Sequence, residues 1–128
     1  MLTGLFFCPL RKSGHLALPA EWRADFGPRL IVTASLEEPG LLFWYRPSLE
    51  QFQCTEGARA HWRFVLAAAA ELGVRANGYF RVPKRYRELA RDADTLVSRG
   101  DHALWTNGQR FTRRESARLR DALVRRGV

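Results

Sequence analysis

Gly14 and Pro19 recur 64 residues later as Gly78 and Pro83 (78 − 14 and 83 − 19), and that spacing restricts the fold more than any other feature of the chain. Between glycine and proline lie two short runs, His15-Leu16-Ala17-Leu18 and Tyr79-Phe80-Arg81-Val82. Beyond the prolines, an aromatic–arginine pair repeats as Trp22-Arg23 and Tyr86-Arg87. Glycine supplies a turn with positive φ, and proline presets φ for a first helical position. Each copy then continues into a β-rich hairpin. In the first copy Leu30–Ala34 and Leu41–Tyr45 flank Glu37-Glu38-Pro39-Gly40, and in the second Thr95–Val97 and Ala103–Trp105 flank Arg99-Gly100-Asp101. Trp44 and Trp105 fall in equivalent strands if the second copy is three residues shorter. A unit of about four short strands and one helix is too small to bury a core alone. Two copies can interleave their strands into one closed barrel without exposed edges.

Residues 2–8 form a first strand, Arg11 to Gly14 a turn, His15 to Leu18 a second strand, and Ala20 to Phe26 a short helix stopped by Gly27-Pro28. Glu37 and Glu38 are expected to be solvated at a hairpin tip. Ser48 and Gln51 have capping-box spacing for a short helix through Phe52. Trp62, Val65, Leu66 and Ala69 recur at helical spacing and predict a helix from about Gly57 to Glu71. Val74 to Pro83 then repeats strand, glycine turn and strand. Thr112 to Glu115 is a capping box ahead of an apolar stripe, Leu119, Leu123 and Val124. That predicts a basic C-terminal helix over 112–128, outside the duplicated unit, whose stripe packs or joins subunits. Residues 1–111 are read as a single domain of two repeats, about 1–54 and 71–111.

Hydrophobic residues make up 46% of the 128, enough for a core. The longest apolar run, Val65 to Ala70, is far short of the roughly 20 residues of a membrane span. The N-terminus has no positive charge ahead of its apolar stretch, so a secretory leader is not expected. Cys8 and Cys54 allow at most one bridge and are read as small buried residues of a cytosolic protein. His15, His61 and His102 are scattered, and no CxxC, HExxH or phosphate-loop spacing is present. No catalytic residue, metal, cofactor, membrane or small-molecule substrate is expected, and the chain is not read as an enzyme.

Charge is uneven. The net charge of +8 divides into +1 over residues 1–64 (seven basic, six acidic) and +7 over residues 65–128 (fourteen basic, seven acidic). Only Lys12 and Lys84 are lysines, and guanidinium forks suit bidentate phosphate and base-edge contacts. Pseudo-twofold symmetry would bring both glycine turns to one side as a paired basic surface. The candidate DNA contacts there are Arg11, Lys12 and His15, then Arg75, Asn77 and Tyr79. Arg81, Lys84, Arg85, Arg87 and Arg91 crowd the second strand and helix, where they can track phosphate or face an acidic partner, and the first four are candidate DNA contacts.

The twice-given order of strand, Gly turn, strand-Pro, short helix and hairpin resembles the MraZ family within the AbrB/SpoVT swapped-hairpin superfamily. Arg63-Phe64-Val65-Leu66-Ala67-Ala68-Ala69-Ala70-Glu71-Leu72 is similar to the inter-repeat helix of that family, and the trailing Leu104-Trp105 shares the resemblance. The resemblance covers roughly residues 4 to 111. It implies an α+β, mainly β fold: a pseudo-twofold swapped-hairpin (double-split) β-barrel of two β-β-α-β-β repeats, with helices between and after them. It also implies a cytoplasmic, nucleoid-associated transcriptional regulator that forms a homo-oligomeric ring and binds repeated boxes in double-stranded DNA. The family signature, Asp-x-x-x-Arg around each turn glycine, is missing. Arg11 and Arg75 stand at the acid positions, His15 and Tyr79 at the arginine positions. The alternative is an oligomeric interaction module that kept the fold and lost or changed DNA binding. An antitoxin-like AbrB relative is a third reading.

Overall fold

The structure is a computed structural model that describes residues 2–36, 38–55 and 66–125, with the side chains of residues 53–55 outside that set. In chain order the first repeat contains β1 (Leu5–Phe7), β2 (His15–Ala17), a 3-10 turn (Ala20–Trp22) running into α1 (Arg23–Phe26), β3 (Arg29–Ala34), β4 (Leu41–Trp44) and α2 (Arg46–Thr55). The second contains β5 (Ala70–Gly73), β6 (Tyr79–Arg81), α3 (Lys84–Leu89), β7 (Thr95–Ser98), β8 (His102–Thr106) and α4 (Gly108–Arg125).

Six strands form one antiparallel sheet in the order β1-β7-β8-β4-β3-β5, and β2 pairs with β6 in a separate two-stranded ribbon. Exchanging β1–β4 for β5–β8 reproduces both orders. Each first strand leaves its own repeat: β1 bonds the second repeat's β7, and β5 the first repeat's β3. The 64-residue offset survives in the register, since His15 faces Arg81 and Ala17 faces Tyr79.

The central strands β4, β7 and β8 are buried on both faces, while the edge strands β1 and β5 are partly exposed. Leu41 and Phe43 point to the larger core, with Leu16, Leu18, Trp22, Phe80, Val82, Tyr86, Leu96 and Trp105. Their neighbours Leu42 and Trp44 point to the other face, with Leu49, Val97, Leu104 and the half-buried Phe52 and Phe111 of α2 and α4. Alternation at period two thus separates one core under the ribbon from another under the long helices. Full burial of each of these side chains contributes about 2 kcal/mol.

The duplicated aromatics do matched work. Trp22 Nε1 donates to the Thr3 carbonyl at 2.8 Å, and the Tyr86 hydroxyl donates to the Ala68 carbonyl. Each ties down the chain just before the first strand of its own repeat.

Several expectations are corrected. The helix expected to run to Glu71 ends sooner, because Ala70–Gly73 is strand β5. Leu66 and Ala67 are helical, and residues 56–65, with His61, Trp62 and Val65, lie outside the described residues, as does the Cys54 side chain. The pairing of Ile31 to Ala34 with β3's partner strand and of Thr95 to Ser98 with β8 makes Phe43, not Trp44, the counterpart of Trp105. The second copy is therefore two residues shorter, and the two tryptophans lie on opposite faces of the sheet. By the same two-residue step Gly108, where α4 begins after β8, corresponds in position to Arg46, where α2 begins after β4.

Helix α4 also begins before the expected Thr112. Asn107 caps it, its Oδ1 accepting from the Arg110 amide at 3.0 Å. Ser48 is likewise no cap, since α2 starts at Arg46 and the Ser48 hydroxyl donates back to the Tyr45 carbonyl at 2.7 Å. Leu119, Leu123 and Val124 are exposed. Glu38, expected in solvent, is 8% exposed and accepts from Arg99 at 2.6 Å and Arg114 at 2.8 Å.

Candidate nucleic-acid interface

Each glycine turn closes on itself through the same pair of bonds. The Gly14 amide donates to the Arg11 carbonyl at 2.8 Å and the Arg11 amide to the His15 carbonyl at 3.0 Å. The corresponding bonds of the second turn, Gly78 to Arg75 and Arg75 to Tyr79, are 2.8 and 2.9 Å. Both glycines are left-handed, with φ of 82° and 85°, so an L side chain would strain either turn.

The turns are also bonded to each other's strands. The Leu18 amide donates to the Gly78 carbonyl at 2.9 Å, and the Val82 amide to the Gly14 carbonyl at 3.0 Å. They therefore flank one ribbon from its two ends. The inward residues of the ribbon, Leu16 and Phe80, are buried in the larger core. Its outward positions are His15, Ala17, Tyr79 and Arg81. Arg11, Lys12, Arg75, Asn77 and Arg81 are exposed, while His15 and Tyr79 are half-buried.

Some of these groups are already engaged. The Arg11 guanidinium lies over the Tyr79 ring, 4.8 Å from its centre. His15 Nδ1 lies 3.0 Å from the Ser13 hydroxyl, and Asn77 Oδ1 accepts from the Tyr79 amide at 3.2 Å, which tightens the second turn. Beneath β2, Cys8 Sγ donates to the Ala17 carbonyl at 3.4 Å, and burial pushes its thiol pKa up.

The fold brings only part of the second group of cations to the turns. Arg81 lies on the ribbon opposite His15. Arg87 reaches the first turn, where its side chain lies against Gly14. Arg85 instead sits over the Tyr86 ring, beside Ala34, Ala68 and Leu89, and no described contact brings it or Lys84 to a turn.

One residue was missed. Arg23 lies against Gly78 and, with Arg75, lines a pocket of about 370 Å³ beside the second turn. Its signal in the sequence was the 64-residue match to Arg87.

Among the described residues no group of three or more His, Cys, Asp or Glu side chains could hold a metal ion, and no helix is long and apolar enough to cross a membrane.

No protein-family model matches the chain. The transcriptional regulator MraZ of Desulforamulus reducens is 33% identical over 107 residues, which is 76% of this chain and 74% of that protein. The protein of the same name from Thermoanaerobacter pseudethanolicus is 31% identical over 102 residues, 71% of this chain and 68% of its own length. The chain belongs to the MraZ family. The Desulfitobacterium hafniense MraZ aligns over the full length of both chains at 28% identity. These relatives are named as transcriptional regulators, not as enzymes.

Within the MraZ family this chain is divergent, and the structure gives the changed signature a geometry. The acid position of the first copy, Arg11, meets the arginine position of the second copy, Tyr79, across the ribbon. A cation–aromatic contact, about 0.5–1 kcal/mol at an exposed site, stands between two signature positions.

Proposed function

We propose that this chain is a sequence-specific DNA-binding transcriptional regulator of the MraZ type. Its two glycine turns and the outer face of the β2–β6 ribbon lie against double-stranded DNA. The observation that carries the reading is the crossed pair of turn bonds, Leu18 to Gly78 and Val82 to Gly14, because it makes two cationic turns the flanks of a single ribbon. A two-stranded ribbon fits the major groove, where guanidinium, amide and imidazole groups can meet base edges. Lys12, Arg75 and Arg81 are the phosphate contacts in this reading, and His15, Asn77 and Tyr79 face the bases. Lys84 and Arg85 lie at the margin of the contact.

The strand exchange between repeats supports assignment to the swapped-hairpin, double-split barrel, with the two repeats as one domain. Neither repeat completes the sheet alone. The working form is a homo-oligomeric ring on repeated DNA boxes, associated with the nucleoid in the cytoplasm, without a cofactor or substrate.

Fluorescence anisotropy with genomic fragments tests this. Three phosphate contacts per chain predict log K falling with log salt at a slope of about −3 per bound chain. Arg75→Ala and Arg81→Ala should each lower the affinity and flatten that slope by about 0.9. No binding at low salt to specific fragments or bulk DNA would sink the proposal.

A second reading has its own support. Arg11 is engaged with Tyr79, and the acid–arginine signature is absent. An oligomeric interaction module that has lost operator binding would show a stable oligomer by light scattering and no DNA affinity.

A further inference from the structure

Arg23 and Arg87 are 64 residues apart and hold equivalent places, one on α1 and one on α3. Each is fixed by a carbonyl of its own repeat: Arg23 Nε donates to Leu18 at 3.4 Å, and Arg87 Nε to Val82 at 2.7 Å. Each then lies across the glycine of the opposite repeat. A Cβ on Gly14 would stand 2.6 Å from Arg87 Cζ and 2.8 Å from both of its terminal nitrogens. A Cβ on Gly78 would collide with Arg23 Nε and lie 2.8 Å from Arg23 Cζ. Both glycines are buried in turns whose neighbours Arg11, Lys12, Arg75 and Asn77 are exposed. A flat guanidinium can lie on a bare glycine backbone in a way that neither a Cβ nor an ammonium allows.

We propose that Arg23 and Arg87 are positioning residues for the DNA-contacting turns, each holding the turn of the other repeat. The inference deepens the reading of those turns as a DNA surface and rests on it for its functional meaning. Each turn is thus clamped by a side chain that belongs to its partner repeat, and the two halves of the surface keep a common spacing. Pre-organised turns lose less entropy on binding.

Amide hydrogen exchange on the full chain tests the clamp without DNA. Arg87→Met keeps most of the stem and removes the guanidinium. It should speed exchange about tenfold at the Arg11 and Gly14 amides, while those of Arg75 and Gly78 change less than about twofold. Arg23→Met should give the opposite pattern with a smaller effect, as its bond is longer. If Arg87→Met does not fold, Arg87→Lys reads the same amides. Acceleration confined to the variant's own repeat, or equal in both turns, overturns the clamp.

The DNA arm is separate. Arg87→Met should weaken binding severalfold at an unchanged salt slope, whereas a direct phosphate contact would flatten the slope by about 0.9. A flattened slope without the crossed exchange pattern overturns the proposal. If the native chain binds no DNA yet the crossed exchange is seen, the DNA reading fails and the clamp stands.

Discussion

Replacing Glu38 by alanine removes the carboxylate that joins three parts of the molecule: the first repeat's hairpin tip, Arg99 beside the second repeat's hairpin, and Arg114 of α4. The carboxylate is 8% exposed, but the two guanidinium side chains are 33% and 28% exposed. A charge-assisted hydrogen bond contributes about 1.5–3 kcal/mol, and removing one partner of a buried pair costs about 3–5 kcal/mol. Both arginines can swing into water once the acid is gone, so the stranded-charge penalty is largely avoided. The expected loss is therefore about 2 kcal/mol, or a fall in Tm of about 6–10 °C for a chain of this size. Urea unfolding at neutral pH measures it, with Arg99→Ala, Arg114→Ala and the corresponding double variants completing the cycle. Each single arginine variant should lose less than Glu38→Ala, and Arg114→Ala should not matter once Glu38 is absent, whereas Arg99 keeps its place over the Phe111 ring, 6.0 Å from the ring centre. A change below about 0.5 kcal/mol for Glu38→Ala, or an Arg114 effect that persists without it, would refute the reasoning.

Other outcomes follow from the same geometry. Gly14→Ala forces a left-handed alanine and pushes Arg87 off the turn, so it should cost about 1–2 kcal/mol in urea unfolding and weaken DNA binding severalfold; an unchanged midpoint would contradict the turn geometry. The Arg46 hydrogen bond, helped by Arg29, holds the Glu71 carboxyl below its ordinary pKa. Its contribution is present above the unfolded-state value and lost as pH falls through the lowered one, so Glu71→Gln should flatten the acid limb of a stability-versus-pH curve. Burial raises the Cys8 thiol pKa, which leaves less thiolate at any given pH, so peptide mapping should find Cys8 alkylated only slowly until denaturant is added.

The duplication, the two glycine turns, the proline-led helices and the hairpins are all legible in the chain, because each is written in local stereochemistry. A glycine at φ near 80°, a proline at a helix start and alternating apolar runs act within a few residues of themselves. Helix ends were less legible. Thr112 to Glu115 has capping-box spacing, yet Asn107 is the cap that has the geometry.

Partner choice belongs to the tertiary structure. Nothing local says that β1 bonds β7 and β5 bonds β3, or that Ala70–Gly73 leaves a helix-like run to become an edge strand. Nothing local says that Glu38 is covered by two arginines from far along the chain, or that Arg11 meets Tyr79. The β5–β3 pairs lie 38 to 44 positions apart and the other contacts 61 or more, so each forms only when distant segments of the chain pack around a common core. The repeat of Gly14 at Gly78 could be read from spacing alone. That each glycine lies beneath an arginine of the other copy was decided by the exchange.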